Sequence, residues 1–220
     1  MKILVAGATG GSGRAVVTEL LARGHAVTAL ARHASALTYL SANGSLRTID
    51  GDVTDPSCVR DAVQGQDAVV VTLGISENPV RVRLLGPKNS APDVRSRGTR
   101  ILIEAMRTSG VSRLIVQSTY GAGETAGRLR WVDRLFYELL IKPQVADHEK
   151  QESIVRASAL DWVIVQPVHL NDQPSSGNRH VSTAGEVASW VVPRADVATV
   201  IADAAENPAY VGSSVAVSAE

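Results

Sequence analysis

Gly7-Ala8-Thr9-Gly10-Gly11-Ser12-Gly13 is the stretch that decides the fold. A short apolar run, Ile3-Leu4-Val5-Ala6, leads into it. Ala15, Val16, Val17, Leu20 and Leu21 follow at helical spacing and stop at Arg23-Gly24. The glycines at 7, 10 and 13 therefore sit on a strand–turn–helix. Gly7 lets the chain turn sharply off the strand, Gly10 lets backbone approach a ligand, and Gly13 lets the helix pack closely. A helix amino terminus offers unpaired N–H groups and the positive end of a dipole, which together suit a pyrophosphate. The same glycines would serve an ordinary tight turn. Their place inside a βαβ pattern points instead to a dinucleotide-binding loop. No Gly-Lys-Ser/Thr ending follows, so this is not the phosphate loop of an ATPase.

Outward from the loop, short apolar runs alternate with helix-period segments. Ala26–Leu30, Leu46–Ile49, Ala68–Val71, Leu114–Val116, Trp162–Val165 and Val215–Val217 read as strands. Val94, Ile101, Leu102, Ala105 and Met106 form a helical stripe closed by Gly110. Continuous apolar strands separated by helices are the mark of a parallel sheet covered on both faces. The expected architecture is α/β: a Rossmann-type doubly wound parallel sheet, one domain over residues 1–220. Loops at about 74–92, 119–147 and 167–185 are expected to border a substrate at the carboxyl edge. Asn171–Gly185 reads as irregular chain. Gly127–Ile141 reads as an amphipathic helix, either packed on the domain or acting as a lid that brings Trp131 or Phe136 to an aromatic substrate.

Composition narrows the function. The 220 residues are 45% apolar, with 22 basic against 22 acidic side chains. That balance speaks against nucleic-acid coating and against disorder. Aromatics are 4%, too few for base-stacking platforms. The single cysteine, Cys58, excludes an internal disulfide and a multi-cysteine metal cluster and reads as a small core residue. No His/Asp/Glu group has metal-ligand spacing, so no metal is expected. No apolar run approaches the ~18 residues of a membrane span. The expectation is a cytoplasmic protein, monomer or weak dimer, whose partner is a small molecule.

The end of the second strand reads Leu30-Ala31-Arg32-His33-Ala34-Ser35, without an acid to meet a ribose hydroxyl. Arg32 suits a 2′-phosphate, so the expected cofactor is NADP(H). Asp52-Val53 after the third strand and Leu73-Gly74 after the fourth are further contacts. No tyrosine stands four residues before a lysine: Tyr39, Tyr120, Tyr137 and Tyr210 are followed at that spacing by Asn43, Glu124, Ile141 and Ser214. The acid/base pair common in short-chain dehydrogenases is thus missing. The candidates left are Ser118 and Thr119 after the fifth strand, His148, and His169 after the sixth. His25, His33 and His180 read as surface residues.

Together these features resemble an atypical short-chain dehydrogenase of the NAD(P)H-binding (NmrA-like) group, and within it the flavin reductase/biliverdin-IXβ reductase family. The likeness rests on the glycine loop, Arg32, Gly51-Asp52-Val53, Gly65–Val69 leading to Leu73-Gly74, Asp147-His148 with Ser158-Ala159-Leu160, and Pro167–Pro174 with its His-x-x-Asp-Gln-Pro run. The resemblance implies cofactor contacts at Gly7, Thr9, Gly10, Gly11, Ser12, Arg32, Ser35, Asp52, Val53, Leu73, Gly74, Gln117, His148 and His169, with Gly13 and Pro167 in the same motifs. It places the serine beside the nicotinamide on Thr119 and a second phosphate-binding arginine on Ala36. It also implies hydride transfer from NADPH to a planar acceptor: a flavin, or a biliverdin-like or quinone-like molecule. The alternatives are a non-catalytic NADP(H) sensor and, less well matched in length, a sugar-nucleotide epimerase or dehydratase.

Overall fold

The computed structural model describes residues 1–40, 44–74, 91–130, 142–175 and 177–220. Its central sheet starts at β1 (Lys2–Ala6), which the glycine loop joins to α1 (Gly11–Ala22). There follow β2 (Ala26–Ala31), β3 (Leu46–Asp50), α2 (Pro56–Val63) and β4 (Ala68–Val71). The second half holds α3 (Val94–Ser109), β5 (Arg113–Gln117), α4 (Lys142–Arg156) and β6 (Asp161–Pro167). Short strands β7 (His169–Asn171), β8 (Arg179–Ser182) and β9 (Val191–Pro193) precede α5 (Arg194–Glu206) and β10 (Ser213–Ala219).

The strand order is β3-β2-β1-β4-β5-β6-β10-β8. All neighbours run parallel except β8, which is antiparallel to β10. The order reverses between β1 and β4, and that switch point opens a crevice at the carboxyl ends. The doubly wound sheet expected from the runs is present. The irregular chain expected at 171–185 is not wholly so: β8 lies inside it, and β7 pairs with β9 in a separate two-stranded ribbon. The expected loop at 74–92 and the amphipathic segment at 127–141 fall mostly outside the described residues. A 3-10 turn, Gly123–Arg128, overlaps the start of the latter, and the Arg130 guanidinium sits 4.2 Å over the Trp190 ring.

The alternation of β1 explains why the sheet needs helices on both faces. Ile3 and Val5 point into one core with Val16, Val17 and Leu20 of α1 and Val197, Val200 and Ile201 of α5. Leu4 and Ala6 point into the other with Val59 of α2, Leu102 and Met106 of α3 and Val155 of α4. Each such fully buried aliphatic side chain contributes about 1.5–3 kcal/mol. Cys58 is only partly buried at the margin of this second core.

A polar seam joins α3 and α4. The first turn of α3 has no side-chain cap of its own. Buried Asp147 of α4 supplies one, accepting the backbone N–H of Arg95 at 3.1 Å and of Ser96 at 3.2 Å. Gln151 then donates to Thr99 Oγ1 at 2.9 Å. His25 is a correction to its surface reading: it is buried, and its Nε2 meets Glu206 Oε1 at 2.7 Å. His180 is half-buried on β8, while His33 is exposed.

Candidate active site

The glycine loop is shaped by three close approaches. Gly7 has φ +87°, and a Cβ there would stand 2.8 Å from the Thr72 carbonyl oxygen of the chain leaving β4. A Cβ on Gly13 would stand 2.2 Å from the Gly7 carbonyl oxygen. The first turn of α1 is thus pressed onto the loop itself, a closer partner than the sheet that the sequence suggested. Gly10 is different, since a Cβ would meet nothing nearer than 3.5 Å. It occupies the N-cap position of α1 and caps with no side chain. By contrast, α2 is capped by Asp55, whose carboxylate accepts from Ser57 N–H. The leading N–H groups of α1 are thereby left for a ligand. Arg14 fixes the loop by donating to the Thr9 carbonyl at 2.9 Å, and Gln117 Nε2 donates to Ser12 Oγ at 3.1 Å.

A cleft of about 1020 Å³ runs from this loop along the carboxyl edge. It is lined by Gly7, Thr9, Gly10, Gly11, Ser12, Arg32, Asp52, Val53, Leu73, Gly74, Gln117, Ser118, Thr119, His148, Pro167 and His169, all expected site residues. Gly13 and Ser35, also expected there, do not line it. Gly13 is enclosed in the loop. The Ser35 N–H is engaged by the Asp50 carboxylate at 2.8 Å.

Four basic residues that sequence reasoning missed line the cleft: Arg14, which holds the loop, and Arg95, Arg97 and Arg194. Arg194 opens α5, and its Nε would lie 2.9 Å from a Cβ on Gly11; its Nη1 pairs with Asp172 at 2.6 Å. Arg97 of α3 helps hold Asp52 ionised. Arg95 is buried beside Asp147, 3.9 Å from Nη1 to Oδ2. Burial lowers its pKa, and Asp147 opposes that shift. A basic residue two turns or a hundred residues from a motif gives no sequence signal. Only the fold shows that Arg194 overlies Gly11.

The four catalytic candidates divide by environment. Ser118 is buried, and its hydroxyl donates to Glu152 Oε1 at 2.6 Å. Gln166 Nε2 reaches the same oxygen at 2.9 Å, and Arg156 holds the other at 3.1 Å. With its hydrogen spent, Ser118 presents only oxygen to His148 Nδ1, 3.4 Å away. His148 lies inside α4 rather than at its start. Burial, followed by the Arg95 charge, pushes its pKa well below the usual 6.5, so the ring is neutral. Thr119 is half-buried at the cleft wall. His169 is exposed at the start of β7, anchored through its own N–H to the Trp190 carbonyl. Tyr120 is buried and donates to the Gly185 carbonyl at 3.0 Å, with its ring edge-on to Trp190.

The loop fits a dinucleotide pyrophosphate: an open approach at Gly10, uncapped α1 N–H groups, and the Ser12 hydroxyl and Arg194 alongside. Gly10, Gly11 and Ser12 are the residues that would hold it.

Comparison with known proteins agrees. The chain is 32% identical over 180 residues to an uncharacterised chloroplastic protein of Arabidopsis thaliana, a match that takes in 80% of this chain and 62% of that one. In two further curated relatives the match spans 35% and 40% of their length. Among solved structures, an anaerobillin reductase of Escherichia coli O157:H7 superposes with a TM-score of 0.79 at 26% identity, covering 99% of this chain and 96% of that one. A short-chain dehydrogenase/reductase of Veillonella parvula in complex with NADP gives a TM-score of 0.80 at 17% identity, covering 98% and 93%, a likeness of fold alone. No described helix is long and apolar enough to cross a membrane. The family described as NAD(P)H-binding matches residues 7–208, and the chain belongs to that family.

Proposed function

We propose that the chain is an NAD(P)H-dependent reductase whose acceptor is a planar molecule such as a flavin, a biliverdin-like tetrapyrrole or a quinone. One observation carries this reading. Among the described residues, the cleft wall over Gln117–Thr119 presents a small hydroxyl and no tyrosine, because Tyr120 is buried and committed to Gly185. An alcohol or sugar oxidation needs a positioned acid/base group at that wall. A conjugated acceptor does not, since its charge spreads over the ring and solvent completes protonation.

The bound cofactor supplies hydride. The chain's part is to bind, orient and exclude water. Gly10, Gly11, Ser12 and Arg194 hold the pyrophosphate, and Arg32 and Asp52 border the adenosine end. Gln117, Thr119, Pro167 and His169 border the reacting end. Neutral His148 and buried Ser118 themselves add no charge to that wall. Thr119, whose hydroxyl donates to the Tyr120 carbonyl over a long 3.3 Å, would turn that donor to the acceptor or to the carboxamide. Most of the rate then comes from proximity and orientation. The anaerobillin reductase, similar over nearly the whole chain, supports a reductase in name and fold.

The test follows reduced-cofactor absorbance with FMN, riboflavin, biliverdin and a simple quinone in turn, each with NADPH and with NADH. Turnover on at least one of the four is expected. Tight cofactor binding with no turnover on any would overturn the reading and favour a regulatory sensor of the cofactor pool.

A further inference from the structure

Arg95, in the first turn of α3, is a cation whose hydrogen bonds the fold leaves unmade. It is 6% exposed and lines the cleft. Among the described residues, its Nε and Nη1 have no hydrogen-bond partner. The Asp147 carboxylate stands 3.9 Å from Nη1, beyond hydrogen-bond reach. Both Asp147 oxygens already accept backbone N–H groups, one from Arg95 itself and one from Ser96. Asp147 thus offers countercharge without a hydrogen bond. Nη2 lies toward Gly74, another cleft residue, where a Cβ would stand 3.6 Å from it. A guanidinium buried in this way is unfavourable, and an oxyanion bound in the cleft would supply what it lacks.

The position of Arg95 says whose oxyanion that is. Its charge is felt by His148, and His148 Nδ1 is 3.4 Å from the hydroxyl of Ser118, one residue before Thr119. Arg95 therefore belongs with the reacting end. At the glycine loop a different cation, Arg194, stands against Gly11. The nicotinamide of a reduced cofactor is uncharged and brings no anion to the reacting end. An anion that meets Arg95 there comes from the acceptor. A guanidinium recognises carboxylate and phosphate alike, through its fork of N–H donors.

We propose that Arg95 binds an oxyanion carried by the acceptor, a carboxylate or phosphate on a substituent of the planar ring, so that the cleft selects anionic acceptors over neutral ones with the same ring. The inference rests on the reductase reading and narrows it. A flavin bearing a phosphate or a tetrapyrrole with free carboxylates fits, and a simple quinone does not.

The test uses acceptors that differ only in the anion: FMN against riboflavin, and biliverdin against its dimethyl ester. Each is titrated into the whole chain saturated with NADP+, by flavin fluorescence or tetrapyrrole absorbance, so binding is read without turnover. In wild type the anionic member of at least one pair is expected to bind at least about tenfold more tightly, the worth of one charge-assisted hydrogen bond. The pair that shows this identifies the anion as phosphate or carboxylate. Arg95→Met is expected to bring that pair within about threefold. Equal binding within both pairs overturns the proposal, and so does binding of neither member of either pair. A folded Arg95→Met protein that keeps the wild-type preference overturns it too. If Arg95→Met does not fold, Arg95→Lys, which keeps the charge and loses the fork, is expected to lower the preference at least about threefold, and an unchanged preference overturns the proposal. The two readings fail apart: turnover without an anion preference sinks the role of Arg95 alone, and an Arg95-dependent preference without turnover sinks the reductase alone.

Discussion

The Ser118 hydroxyl donates to Glu152 Oε1 at 2.6 Å, and Glu152 is wholly buried. The serine therefore secures β5 to α4 and has no proton left for an acceptor. Ser118→Ala is expected to cost about 1–3 kcal/mol of stability, since it leaves a buried acceptor short of a donor. Turnover should stay within about threefold. Melting temperature and steady-state kinetics check this together. A large loss of turnover at unchanged stability would return Ser118 to the chemistry.

Thr119 stands one residue on, half-buried and at the cleft wall. Thr119→Ala is expected to lower turnover about tenfold, the worth of one ordinary hydrogen bond. Thr119→Ser should recover most of it. Abolished activity in the alanine variant, measured at saturating cofactor, would mark Thr119 as an essential acid.

Neutral, buried His148 makes stability depend on pH. Its folded pKa lies below the unfolded value near 6.5, so the unfolded chain binds the proton first. Stability from this residue is full above about pH 6.5 and falls as the pH drops below it toward the lower folded value. The slope approaches about 1.4 kcal/mol per pH unit. Urea unfolding at pH 7 and pH 5.5 should show this loss in wild type and a smaller one in His148→Gln. Equal losses in the two proteins would disprove the assignment.

The glycines of the loop separate stability from binding. Gly13→Ala forces a Cβ to 2.2 Å from the Gly7 carbonyl, and backbone there cannot yield cheaply. A loss of about 3 kcal/mol or more is expected. Gly10→Ala meets nothing closer than 3.5 Å, at an ordinary negative φ, and should melt within a few degrees of wild type. Its effect belongs to the cofactor: NADPH affinity should fall at least about tenfold, read by fluorescence quenching.

The first βαβ unit was legible because its signals are local: an apolar run, three glycines and a helical stripe within two dozen residues. Strand β8 was not. Arg179-His180-Val181-Ser182 carries one aliphatic residue and is half-buried throughout, so only its pairing with β10 makes it a strand. The cleft residues at strand ends were legible for the same local reason. Arg194 was hidden because it reaches the site across the fold, not along its own segment. Ser118 was visible as a hydroxyl after β5. Its engagement was not, because Glu152 lies 34 residues on.

The packing of α1 against α5 also has a consequence in time. The glycine loop leaves the ribosome long before the helix that buries the inner face of α1. Arg23 at the end of α1 reaches Asp203 and Glu206 at the far end of α5, at 2.8 and 2.9 Å. Arg194, beside Gly11, is translated late as well. A nascent chain stalled before residue 190 holds the whole nucleotide motif but lacks the helix that closes over it. Capacity to capture cofactor is therefore acquired only once α5 has been made, and the dinucleotide becomes a checkpoint that a chain lacking α5 cannot pass.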